Sequence, residues 1–182
     1  MTTDPITESG MAFGPYPEGS FFYIEKSTMY QRVQDSVPIA EFLLLRHSKK
    51  GPVIWVVEAK TSSPHSKNET DFDKYIASVS QKLINALSLG LAACLKRHQA
   101  AYAELPQKFQ KLDLAVLDFR LVLVVKKCKT EWIPPLKEAL DKSLRATVKT
   151  WALSPTAVVV FNEELAQEKQ LIIGAPALEN EK

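Results

Sequence analysis

The chain has 182 residues, 46% of them hydrophobic and 24% charged, with 23 Lys plus Arg against 21 Asp plus Glu. That length and composition suit one domain with a sizeable buried core and exclude disorder over most of the chain. A formal net charge of +2 excludes a histone-like coat protein. Any polyanion contact must come from local clusters such as Lys49-Lys50, Lys96-Arg97 and the trio Lys126, Lys127 and Lys129.

No apolar run suits a bilayer span: the best, Leu83–Leu95, is broken by Asn85, Ser88 and Gly90. The N-terminus lacks the basic, apolar, small-residue order of a secretory signal. Cys94 and Cys128 have no metal-type spacing, so a reducing cytoplasm is the expected compartment.

Residues 1–20 carry Pro5, Pro15 and Pro17 with Gly10, Gly14 and Gly19, and are expected to form an irregular arm. Phe21–Ser27 reads as a first strand, whereas Thr28–Val37 has no dominant period. Ile39–Arg46 and Val53–Lys60 are strand-like runs on either side of His47–Pro52, which predicts a hairpin. After a polar loop, three-four spacing from Phe72 through Ile76, Val79, Leu83 and Leu87 to Tyr102 predicts one long helix. Thr70 is its expected N-cap, and a bend near Gly90 is allowed. Phe119–Lys127 follows as a strand, and a helix opens at Pro134 or Pro135 and runs to about Trp151. Ala157–Phe161 is a short strand, Glu163–Gln170 a helical turn, and residues 176–182 an acidic tail. The expected class is α/β: one domain over residues 21–175, with a central mixed sheet, an antiparallel hairpin, a long helix and a second helix.

The hairpin carries the chemistry. Centring its turn between Lys49 and Lys50 sets Glu41 opposite Glu58, Leu43 opposite Val56 and Leu45 opposite Ile54. Side chains alternate, so Glu41, Glu58 and Lys60 share one face, while Phe42, Leu44, Trp55 and Val57 line the other. Both faces are otherwise apolar, the mark of a doubly covered central strand pair. Like charges across a strand pair destabilise, and more so in a low dielectric, unless a cation compensates them. Lys60 compensates one charge and a divalent ion could compensate more. A hard cation such as Mg²⁺ takes carboxylate oxygens and keeps waters for chemistry. The expected geometry is two carboxylates close enough to share one ion.

Pro38-Ile39-Ala40-Glu41-Phe42-Leu43-Leu44-Leu45, a turn, then Val53-Ile54-Trp55-Val56-Val57-Glu58-Ala59-Lys60-Thr61-Ser62-Ser63 resembles the core of the PD-(D/E)XK nuclease superfamily. The Glu58-Ala59-Lys60 tripeptide is no rarer than chance in so charged a chain; its place at the end of a buried strand carries the likeness. The resemblance implies a restriction-endonuclease-like fold and Mg²⁺-dependent hydrolysis of phosphodiester bonds in DNA, with Mn²⁺ able to substitute. Glu41 and Glu58 would hold the metal together with the Ala59 carbonyl, and Lys60 would act on the attacking water. Glu25 on the first strand stands in for an N-terminal acid that the arm does not supply, and Gln81 on the long helix is an additional site candidate. Double-strand cutting would imply a homodimer.

The alternative is a non-catalytic module of the same fold that binds nucleic acid or a protein. Such a module is expected to show Lys60 tied to Glu58 in a closed cluster. A third reading has no nucleic-acid role and places the lysine clusters on unrelated faces. Lys74 and Lys82 read as a solvated helix face, His47 and His65 as surface residues, and His98 as packing. Trp132 beside Lys126–Lys129 is a core residue unless exposed, in which case it could stack on a base.

Overall fold

The apolar runs around His47–Pro52 pair in the register the sequence sets, and the rest of the chain is arranged around them. A computed structural model describes residues 1–173; the acidic tail expected at 176–182 lies outside them. Strands β1 (Ile6–Glu8) and β2 (Met11–Phe13) form a small antiparallel hairpin. The main sheet has the order β3 (Phe21–Phe22), β4 (Phe42–Ser48), β5 (Gly51–Lys60), β6 (Asp118–Val125) and β7 (Val158–Asn162). β3, β4 and β5 are antiparallel neighbours, whereas β5–β6 and β6–β7 are parallel. Parallel neighbours need crossovers, and the helices supply them. In chain order these are α1 (Thr28–Gln31), α2 (Glu69–Cys94), α3 (Gln107–Gln110), α4 (Ile133–Thr150) and α5 (Glu163–Glu168), with α2 leading from β5 to β6 and α4 from β6 to β7. The class is mixed α/β with a five-stranded mixed sheet.

Leu43 pairs with Val56 and Leu45 with Ile54, as the alternation requires. These four side chains face one core, built with Val79, Leu83 and Ala86 of α2 and Leu136, Leu140 and Leu144 of α4. Phe42, Leu44, Trp55 and Val57 face a second core, closed by Met11, Phe13 and Tyr16. The near-continuous apolar sequence of β5 follows from this double cover. α2 meets the length and composition of a membrane span, but most of its apolar window is buried in the domain, as expected of a core helix. It lies so close to the sheet that a Cβ on Gly90 would sit 2.8 Å from Leu43 Cδ1. Gly90 therefore allows close packing.

Several expectations are corrected. The arm is not irregular: Ser9 and Gly10, with φ of 50° and 74°, make the two-residue turn of the β1–β2 hairpin. The first strand is only Phe21–Phe22; Ile24–Lys26 is a 3-10 turn, so Glu25 is not on a strand. β4 begins at Phe42, one residue after Glu41. α2 starts at Glu69 with Asn68, not Thr70, at the N-cap position. It stops at Cys94 because Lys96 turns left-handed (φ 58°) and the amides of Lys96 and Arg97 bond back to the Ala93 and Ala92 carbonyls. His98 and Tyr102, assigned to the same helical stripe, fall outside it.

Candidate metal centre

The site is assembled where β4 begins and β5 ends. The Glu41 amide donates to the Val57 carbonyl at 3.0 Å, and the Glu25 amide donates to the Glu41 carbonyl at 3.2 Å. These bonds fix the 3-10 turn bearing Glu25 against the strand pair. Alternation along β5 puts Glu58 on the face of Ile54 and Val56, under α2, where it is 0% exposed. Glu41 is 6% exposed.

The buried Glu58 carboxylate is compensated on one oxygen. Lys60 Nζ lies 2.7 Å and Lys82 Nζ 3.0 Å from Oε1, ion-pair distances without the angles of directed hydrogen bonds. Oε2 is buried and has no partner. For Lys82, burial pulls the pKa down, but the adjacent Glu58 charge and then Glu41 outweigh it, and the net shift is upward. Lys82 is thus held charged.

Beside this pair lies a different group. One carboxylate oxygen each from Glu8, Glu25 and Glu41 come within 4.8 Å of one another, close enough to hold one metal ion. Lys26 Nζ approaches Glu25 at 3.7 Å, and the Tyr23 hydroxyl donates to Glu8. Burial, then the charge of Glu58, then that of Glu25 push the Glu41 carboxyl up to about 8. Glu8 is also raised, first by burial and next by Glu25. An acid raised in this way must lose its proton before it can ligate a cation.

No protein-family model, curated protein or solved structure matches this chain. The reading of the site therefore rests on its own geometry.

Of the residues picked from the sequence, Glu41, Glu58, Lys60 and Glu25 converge on this end of the sheet. Glu8, outside the expected set, joins Glu25 and Glu41 within 4.8 Å of one another, while Glu58 contacts Lys60 and Lys82 beside them. The Ala59 carbonyl accepts a hydrogen bond from Ser9 Oγ at 3.0 Å, and its second lone pair remains. Gln81 is exposed and donates to Asn85 Oδ1 at 2.8 Å, so it does not face the acids. Lys82 is not part of a solvated face, a correction with a plain cause: its long stem spans from the edge of the α2 core stripe to Glu58.

Sequence reasoning missed Glu8 and Lys82. For Glu8 a signal existed. Ser9-Gly10 between alternating residues is a hairpin turn, and Glu8 is the last residue before it. For Lys82 the signal was adjacency to Leu83 on an apolar stripe, which alone does not separate a buried stem from a solvated one.

Proposed function

We propose that the chain is a divalent-metal-dependent nuclease of restriction-endonuclease-like fold, hydrolysing phosphodiester bonds in DNA. The observation that carries this reading is the convergence of Glu8, Glu25 and Glu41, within 4.8 Å of one another, beside the unpartnered and wholly buried Oε2 of Glu58. Once deprotonated, Glu8, Glu25 and Glu41 face one nearby ammonium, Lys26 beside Glu25, and a divalent cation would offset the remaining negative charge. All donors are hard oxygens, which suits Mg²⁺, with Mn²⁺ as a substitute. Glu8, Glu25 and Glu41 would hold the ion, with Glu58 and the Ala59 carbonyl at its border. When bound, the ion supplies an activated water and counter-charge for the phosphate.

The chain's own residues do the rest. Lys60 extends from the last position of β5, is 28% exposed at its side chain, and borders both Glu58 and solvent. It is the group placed to orient the attacking water or carry its proton, and to offset charge building on the phosphate. Lys82, held charged by Glu58 and Glu41, pairs with Glu58 Oε1 at 3.0 Å.

One observation favours the second reading, a non-catalytic module of the same architecture. Lys60 is tied to Glu58 at 2.7 Å, the closed arrangement expected of a binding module. The test is cleavage of single- and double-stranded DNA with Mg²⁺ or Mn²⁺ by the wild type, Glu58→Ala and Lys60→Ala. Metal-dependent cleavage that falls at least about a hundredfold in both variants is the expected result. A folded wild type that cuts neither substrate leaves the binding module as the better account.

A further inference from the structure

We infer that Lys126, Thr61 and Ser9 are positioning residues for the acid centre: they tie the turn of the β1–β2 hairpin to the ends of β5 and β6, and so fix the Glu8 carboxylate beside those of Glu25 and Glu41. This rests on the metal-centre reading but not on cleavage. Three hydrogen bonds make the tie. Lys126 Nζ donates to the Gly10 carbonyl at 2.6 Å, Ser9 Oγ to the Ala59 carbonyl at 3.0 Å, and Thr61 Oγ1 to the Ser9 carbonyl at 3.3 Å. Lys126 and Thr61 are themselves held side by side, because the Lys126 amide donates to the Lys60 carbonyl at 2.9 Å and the Lys127 amide to the Thr61 carbonyl at 2.8 Å.

Apolar packing alone does not place Glu8. β1 has no buried residue, and the hairpin is anchored through Met11 and Phe13 of β2. Glu8 is the last residue of β1 and pairs with Met11 across the turn, in a ribbon of only three residue pairs. So short a ribbon is a weak frame. Ionised, as metal binding demands, Glu8 is also repelled by Glu25 and Glu41. The Tyr23 hydroxyl holds its carboxylate end. The tie holds its backbone end, gripping Ser9 and Gly10, the two residues that follow it in the chain. The approach is close: a Cβ on Gly10 would lie 3.1 Å from Lys126 Nζ. Groups that orient a metal ligand in this way govern metal affinity without touching the ion.

The charge of Lys126 gives the inference a sign. An ammonium near a cation site repels the cation, so a Lys126 that acted only through its charge would, on removal, leave metal binding tighter. A positioning role requires the opposite.

The test is Mn²⁺ binding to the full chain at pH 8, followed by the electron paramagnetic resonance of free Mn²⁺. Thr61→Val with Lys126→Met removes two of the three hydrogen bonds, keeps the bulk of both side chains and touches neither apolar core. It is expected to weaken Mn²⁺ binding about tenfold. Ser9→Gly removes the third at a φ of 50°, which glycine adopts without strain, and should act in the same direction. Lys127→Met removes the same charge from a residue whose amide makes its contact with Thr61, and should not weaken binding. Glu8→Gln should weaken it at least as far as the double variant does. Adding Thr61→Val and Lys126→Met to Glu8→Gln should then have no further effect, because the set acts through Glu8. Wild-type or tighter binding in the double variant overturns the positioning role and leaves the metal centre standing. So does a weakening that adds in full to that of Glu8→Gln, or an equal weakening by Lys127→Met. Mn²⁺ binding indifferent to Glu8→Gln, or a wild type that takes up no Mn²⁺, overturns the centre and the role with it.

Discussion

Glu58 and Glu41 stand at the same end of one hairpin and have opposite surroundings. Glu58 meets two ammonium groups on one oxygen, and Glu41 meets Glu8, Glu25 and the charge of Glu58 itself. Glu58 is the more deeply buried, yet it has the company a buried charge requires. Glu41 has the reverse and answers by holding its proton. The difference divides four acids: Glu58 is compensated by two lysines of its own chain, while Glu8, Glu25 and Glu41, with Lys26 beside Glu25, form a cluster that could hold a metal ion.

The sharpest way to break this comparison is to strip Glu58 of its partners. Lys60→Met with Lys82→Met leaves a buried charge uncompensated and should cost about 3–5 kcal/mol. In a chain of this size that lowers Tm by roughly 10 °C. Adding Glu58→Gln to the double variant should recover most of that loss. No loss in the double variant would mean that the two ion pairs contribute nothing.

A metal titration asks the same of Glu41. Its carboxyl is raised in the fold from 4.5 to about 8, so the folded chain binds the proton more tightly than the unfolded one. That contribution to stability is complete below about pH 4.5 and is lost as pH rises through about 8, so the metal-free protein should weaken over this window. Mn²⁺ at a hundredfold excess over Kd should stabilise the fold at pH 8 by about 2.7 kcal/mol, read as a rise in Tm. Glu41→Gln should remove most of the slope, leaving the share of Glu8, and abolish the Mn²⁺ effect. A pH-independent Tm, or Mn²⁺ stabilisation that survives Glu41→Gln, would place the cation elsewhere.

The smallest effect concerns the platform on which both acids rest. Gly90→Ala adds a Cβ against Leu43, which is 1% exposed and cannot easily move. Overpacking costs about 1–3 kcal/mol, against a gain of about 1 from helix propensity. A net loss of about 1 kcal/mol by chemical denaturation is expected, with the Mn²⁺ response unchanged.

The strand pair and its register were legible because period-two alternation leaves one solution when both faces are buried: a slip by one residue would send Glu58 into the core of Phe42 and Trp55. The α2 start was legible to within two residues from its apolar spacing. Its end was not, since the stop is a left-handed Lys96, a conformation that no local composition announces. The site was half legible. Glu58 and Lys60 follow from β5 and Glu41 from the register of the residue before β4, whereas Glu25 was expected on a first strand and stands instead on the 3-10 turn Ile24–Lys26.

What the sequence by itself determined is the set of elements and the facing of the hairpin, since these depend on periodicities of a few residues. Only the tertiary structure decided which acids meet. Glu8 reaches Glu41 across 33 positions of chain because the β1–β2 hairpin packs on the second face of the sheet through Met11 and Phe13. Lys82 reaches Glu58 because α2 docks against the first, close enough to require Gly90. Both contacts are set by how apolar surfaces come together over long chain separations. Charge–charge contacts of this kind follow the packing of the core, which local sequence patterns do not encode.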